Sequence, residues 1–250
     1  EEAYQEDSNL KIALYNIAYL YERQENMEKA IEWYRRAATE GVGDGWVNIG
    51  LMQLDAGNQG EAEASFRRAL ELEPLNGRAH LNIALISNGR KDFKESISSV
   101  RNALKEDATN ADAYAVLSQV YYDLGRYKLA LLVVDAGLSL NDEHSGLLTT
   151  MGLIYLKLED VIKAIRAFDK AIQMDKSNFA ARLNLGLITF NFRDYERSYQ
   201  LLGEATALKP EHVDALFARS VAARALKKFD EAKRGYEQVL VLKPNHPGAI

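Results

Sequence analysis

The residues of this 250-residue chain that could do chemistry are four histidines, a run of spaced glycines and a row of asparagines. A histidine works as a general base or a metal ligand only where other groups converge on it. His144, His212 and His246 recur about one structural period apart, in short polar joints, and read as turn residues; His80 stands alone. Gly41, Gly43 and Gly45 resemble a phosphate loop only superficially, because no strand precedes them and no Lys-Ser/Thr follows. They read as a flexible joint. The chain has no Cys, which removes thiolate chemistry and disulfides. Carboxylates are abundant but fall on solvent faces, and no nucleophile stands beside a base. Catalytic residues, metal ligands and cofactors are therefore all expected to be absent. The asparagines are different. Asn16, Asn48 and Asn82 sit at one position of three similar stretches, YNIAYL, VNIGLM and LNIALI, and Asn184 occupies the same position further on. Asn offers two donors and an acceptor, so a row of them can bridge the backbone of an extended peptide of any sequence. The alternative use is structural, as a cap or a bond to the neighbouring helix.

The elements that position these residues are helices in pairs. Residues 145–178 read as a helix, a short turn and a second helix, with small residues at Gly152, Ala164 and Ala171 and rings at Tyr155 and Phe168. The following stretch repeats the plan with Gly186, Ser198, Ala205 and Pro210, and the preceding one with Ser118, Tyr121, Ala130 and Gly137. In a fixed period of 34 residues this spacing resembles the tetratricopeptide repeat. Seven repeats fit, the first of them two residues short: 11–42, 43–76, 77–110, 111–144, 145–178, 179–212 and 213–246. Residues 1–10 form an acidic lead-in, and 247–250 read as the start of a truncated following helix. The resemblance implies an all-α fold, a right-handed α-α superhelix of antiparallel helix pairs forming a single array.

Within each repeat the first helix should cover about the first 14 residues, with the second beginning near the seventeenth or eighteenth. The eighth position reads Ala18, Gly50, Ala84, Ser118, Gly152, Gly186 and Ser220, and the twentieth Ala30, Ala62, Ser96, Ala130, Ala164, Ser198 and Ala232. Such short side chains let paired helices approach closely. A bulky residue at the twenty-fourth position fills the space beside them. Pro74, Pro210 and Pro244 stop second helices. Arg182 and Arg219 depart from the pattern, and Arg219 takes a position that is normally apolar. It marks either a partner contact or a weak final repeat.

Charge excludes some partners. The net value is −5, with 13 basic and 19 acidic residues in 1–110 but 11 and 8 in 179–250. No basic stripe favours nucleic acid. No apolar run reaches the roughly 18 residues of a membrane span, so direct membrane insertion is not expected. The chain starts without Met and stops at Ile250, as an excised fragment or a processed chain would. The lack of Cys and of glycosylation sequons fits a cytoplasmic protein or one of a bacterial periplasm or envelope.

The resemblance further implies that first helices line a concave groove holding a protein or peptide segment. Its polar rungs would be Asn16, Asn48, Asn82 and Asn184, and its apolar walls Tyr15, Tyr19, Leu51, Leu85, Leu187 and Phe190, with Leu183 and Phe217 nearby. The carboxylate clamp of chaperone-binding relatives is not matched, because Tyr15 and Tyr19 stand where that clamp needs Lys and Asn. The expected function is a non-catalytic scaffold for assembling a multiprotein complex, such as a bacterial envelope, motility or secretion machine. The alternatives are the substrate-recruiting arm of a larger enzyme such as a glycosyltransferase, or a trafficking adaptor. Self-association through the uncapped C-terminal repeat is a further setting.

Overall fold

The computed structural model describes residues 2–249, with side chains from residue 9 onward. Among them every regular element is an α-helix. In order these are α1 Glu2–Arg23, α2 Met27–Thr39, α3 Gly43–Asp55, α4 Gln59–Leu72, α5 Gly77–Gly89, α6 Phe93–Glu106 and α7 Ala111–Asp123. They continue with α8 Tyr127–Leu140, α9 Ser145–Lys157, α10 Val161–Met174, α11 Phe179–Asn191, α12 Tyr195–Leu208, α13 Val213–Ala225 and α14 Phe229–Leu242. The chain forms two compact units, one up to Gly125 and one from Arg126 onward. In the first unit α1 packs on α2, α3 on α4 and α5 on α6; in the second α9 packs on α10, α11 on α12 and α13 on α14.

The rows of small residues do what their spacing predicts. Ala18, Ala30, Ala62, Ala84, Ala164 and Ser198 are all fully buried. A Cβ added at Gly152 would stand 2.6 Å from Cε1 of Phe168, and one at Gly186 would stand 2.8 Å from Cγ of Leu202. The bulky twenty-fourth position therefore presses directly on the small eighth, and at Gly152 and Gly186 nothing larger than glycine fits without displacement. Where the twentieth position is Ser, its hydroxyl is satisfied by the partner helix: Ser96 donates to the Ala84 carbonyl at 2.7 Å and Ser198 to that of Gly186 at 2.8 Å. The cores lie between paired helices and their successors, around Val47, Phe66 and Ile83 in the first unit and Leu148, Phe168 and Leu185 in the second.

Helix ends are fixed by side chains. Asn76, Asn110 and Asn178 each accept a bond from the backbone N–H three residues on. His144 and His212 do the same through Nδ1, to Leu147 at 3.2 Å and Ala215 at 3.3 Å. These caps satisfy N–H groups that the helix itself leaves orphaned. The turn between paired helices uses one device throughout. Its fifteenth-position residue has a positive φ in all seven repeats: Glu25, Gly57, Lys91, Gly125, Glu159, Arg193 and Lys227. Only two of these are glycine, so five turns hold an L side chain in the left-handed region.

Two expectations meet a different outcome, and the acidic lead-in takes a structure that the sequence left open. The acidic lead-in is helical from Glu2 and continuous with the first repeat's helix. The glycine-rich stretch is not a flexible joint. Gly41, with φ +89°, makes the turn, while Gly43 and Gly45 are buried in the first turn of α3, and Gly43 donates its N–H to Glu73 at 2.8 Å. A Cβ at Gly45 would meet the backbone of Tyr34 and Ala38, so these glycines serve close helix approach. Residues 247–249 form a turn, with Ala249 N–H bonded to the His246 carbonyl at 3.1 Å.

Candidate partner-binding site

In each unit the first helices of successive repeats carry the candidate residues, and the two units use them differently. In the first unit Asn48 is 8% exposed and has both ends of its amide engaged. Its Nδ2 donates to the Tyr15 hydroxyl at 2.9 Å, and Arg78 donates to its Oδ1 at 2.9 Å. Arg78 also pairs with Asp44 at 3.2 Å, and Asn76 donates to the same carboxylate at 3.1 Å. A polar node thus ties α1, α3 and α5 together. Tyr15 stacks edge-on against Tyr34, ring centroids 5.4 Å apart. Burial, reinforced by a hydrogen bond to Glu22, pushes the Tyr34 phenol above its ordinary range, so it stays a protonated donor. Leu51 is half-buried and packs on the core around Val47 and Phe66. Asn48, Tyr15 and Leu51 are therefore engaged within the protein.

Other candidates face outward. Asn16 and Tyr19 are exposed on α1, and Leu85 is 53% exposed on α5. Asn82 turns its amide N–H back to the Arg78 carbonyl of its own helix at 2.8 Å. In the second unit Asn184 makes the same bond to Ala180 at 2.8 Å. Both are half-buried, and each side-chain oxygen can still accept a hydrogen bond.

The second unit adds an apolar cleft. Leu183, Leu187 and Phe190 of α11 face Phe217, Ala218 and Val221 of α13 across a space of about 400 Å³, with Leu202 at its floor and Asp214 on its rim. Leu187 is 42% exposed. Phe190 is steadied by Tyr195, ring centroids 5.2 Å apart, and Phe217 by His246 at 4.6 Å. Leu187 and Phe190 are thus brought together with Leu183 and Phe217. Val221 and Asp214 were missed, although Val221 holds the same ninth position of its repeat as Leu187. The cleft offers apolar side-chain space with a single carboxylate at its edge. Such a surface has room for an apolar side chain, and Asn184 lies on the same helix as Leu183 and Leu187.

Profiles of the tetratricopeptide repeat family match residues 13–45, 87–149, and 48–111, 149–202 and 190–250. Comparison with curated protein sequences gave no match. Among solved structures, PilF of Pseudomonas aeruginosa is 22% identical with a TM-score of 0.68, over 83% of this chain and 95% of that one. The Cut9–Hcn1 hetero-tetramer of the APC/C aligns with a TM-score of 0.72 at 20% identity, over 97% of this chain and 45% of that one. PilW, described as a widely conserved type IV pilus biogenesis factor, is 16% identical with a TM-score of 0.66, over 83% of this chain and 96% of that one. These likenesses concern the fold.

Proposed function

The chain belongs to the tetratricopeptide repeat family, and from that premise we propose that it is a non-catalytic scaffold that holds a peptide segment of a partner protein on its first-helix faces. The observation that carries this reading is the cleft between α11 and α13, where Leu187 and Phe190 stand open beside Phe217 and Val221. Leaving these side chains in water costs roughly 25 cal/mol per Å² of apolar surface, and an apolar side chain from a partner removes that cost. Asn184 supplies the sequence-independent contact. In the first unit, Asn16, Asn82, Tyr19 and Leu85 remain free to contribute, while Asn48, Tyr15 and Leu51 shape the surface from within. The scaffold serves assembly of a multiprotein complex. That step is supported by PilW, a pilus biogenesis factor, and by Cut9–Hcn1, a part of the APC/C.

Selection of peptides from a random displayed library on the immobilised chain tests this. Enriched peptides should share a large apolar residue, and Leu187→Asp should weaken their binding about tenfold or more, the effect of placing a charge in an apolar pocket. Failure to enrich any sequence, or enrichment indifferent to Leu187→Asp, contradicts the reading.

A second occupant is a second copy of the chain. Phe229 is 65% exposed and Val241 80% exposed on α14, and Tyr236 has a buried hydroxyl without a partner among the described residues. Apolar exposure of this extent along one helix favours association with a second copy. A mass by light scattering that stays monomeric across a hundredfold dilution, about the range needed to cross a micromolar Kd, would exclude it.

A further inference from the structure

Three departures from the chain's own repeat meet at one place in the last two repeats. The seventh position is Ile17, Ile49, Ile83, Leu117, Met151 and Leu185, and then Arg219. The twenty-fifth carries a charged side chain in every repeat except the sixth, where it is Gly203. The twenty-third carries a side chain in every repeat except the last, where it is Gly235. The structure brings all three to the seam between α12, α13 and α14. Gly203 lies beside the guanidinium of Arg219, whose Nε would stand in ordinary contact, 3.6 Å, with a Cβ placed there. Gly235 lets α14 close onto Ser220.

The seam holds a cleft of about 290 Å³ lined by Tyr199, Leu216, Arg219, Ala223, Glu231 and Arg234. Arg219 is half-buried and is held by hydroxyls, Tyr199 at 3.2 Å and Thr206 at 3.5 Å, with its guanidinium 5.1 Å from the centre of the Tyr199 ring. Lys228 stands over the same ring at 4.2 Å. Arg234 bonds the carbonyl of Asp230 on its own helix at 3.4 Å. Neither arginine lies within ion-pair distance of a carboxylate among the described residues. The one carboxylate in the cleft, Glu231, accepts from the Tyr199 hydroxyl. That bond first, and then the field of Lys228, Arg219 and Arg234, holds the Glu231 carboxyl below its usual range. Three cations thus face one carboxylate. Replacing an apolar residue with a half-buried arginine that makes no ion pair among the described residues costs stability, so a use for it is expected.

We propose that this cleft binds an acidic side chain, Asp or Glu, from a segment of a partner protein. Arg219 and Arg234 would take the carboxylate, in the planar fork geometry that guanidinium groups offer, while Leu216 and Ala223 pack against its aliphatic stem. The site is separate from the apolar cleft. Arg219, Leu216 and Ala223 lie on the face of α13 opposite Phe217, Ala218 and Val221. It therefore stands or falls independently of the peptide groove.

The test is fluorescence anisotropy of the full chain with fluorescein-labelled hexaglutamate, beside a labelled hexaglutamine control. Arg219→Leu restores the residue type of the other repeats. Gly203→Asp copies Asp135 and Asp169 at the same position and puts a competing carboxylate beside Arg219. Both variants should fold, as a helical circular-dichroism melt will check. Saturable binding of hexaglutamate, weakened about tenfold or more by either variant as expected for loss of a charge-assisted bond, and unaffected by Leu187→Asp, supports the proposal. Equal affinity in all variants, absence of saturable binding, or loss in Leu187→Asp alone overturns it.

Discussion

The first-helix faces of the two units follow one repeat and reach opposite solutions. Around Asn48 the face closes on itself. Tyr15, Asn48, Arg78, Asp44 and Asn76 satisfy one another across three helices. Around Leu187 the face stays open, and Leu183, Phe190, Phe217 and Val221 surround empty space. The position in the repeat is thus not enough to assign a role. What decides it is whether the neighbouring repeats supply a partner. Asn48 has a phenol on one side and a guanidinium on the other, whereas Asn184 finds only its own helix carbonyl. An internally satisfied polar group gains little from a ligand, because binding must first break good bonds. An exposed apolar pocket has no such competitor.

Substitutions can break or sharpen this contrast. The largest effect should come from the packing that both units share. Ala164→Leu in the second unit and Ala62→Leu in the first both force a branched side chain into a fully buried helix contact, and each should cost about 1–3 kcal/mol in denaturant titrations. An effect in one unit and none in the other would show that the units are not built alike. Next, Asn48→Ala should cost about 1–2 kcal/mol by removing two hydrogen bonds from a partly buried network. Asn184→Ala should stay within about 0.5 kcal/mol, as an outward-facing side chain does. Equal costs at the two sites would erase the distinction drawn between them. The smallest effect is a gain. Lys91→Gly and Arg193→Gly, at φ +63° in matching turns, relieve a left-handed strain of about 1–2 kcal/mol less the flexibility glycine adds, so each should raise stability by under about 1 kcal/mol. Loss of stability in either would mean that the side chain holds the turn.

Much of this molecule was legible because its packing is local. The alternation of Ala30, Tyr34 and Ala37 within one helix already specifies a face and its complement, and all three are fully buried. The start of each second helix at the seventeenth position was legible for the same reason. The turn conformation was not. Glycine at Gly57 and Gly125 signals a left-handed residue, but Glu25, Lys91, Glu159, Arg193 and Lys227 adopt it without that signal, because both flanking helices impose it. Gly43 and Gly45 misled for the converse reason. Closely spaced glycines read as a flexible joint, whereas here Tyr34 of α2 and Glu73 at the end of α4 press on the backbone. The site was legible in part. Leu187 and Phe190 announced themselves by type and position. The engagement of Asn48 depends on residues about one repeat away on either side, Tyr15 and Arg78, and only their meeting in space reveals it.

The most direct measurement is hydrogen exchange by mass spectrometry on the full chain, free and with a selected peptide. Slowed exchange is expected in α11 and α13, with α3 and α5 unchanged, because the open apolar cleft lies between the former pair. Protection confined to α1, α3 and α5, or to α12 and α14, would place the partner elsewhere and contradict the central claim.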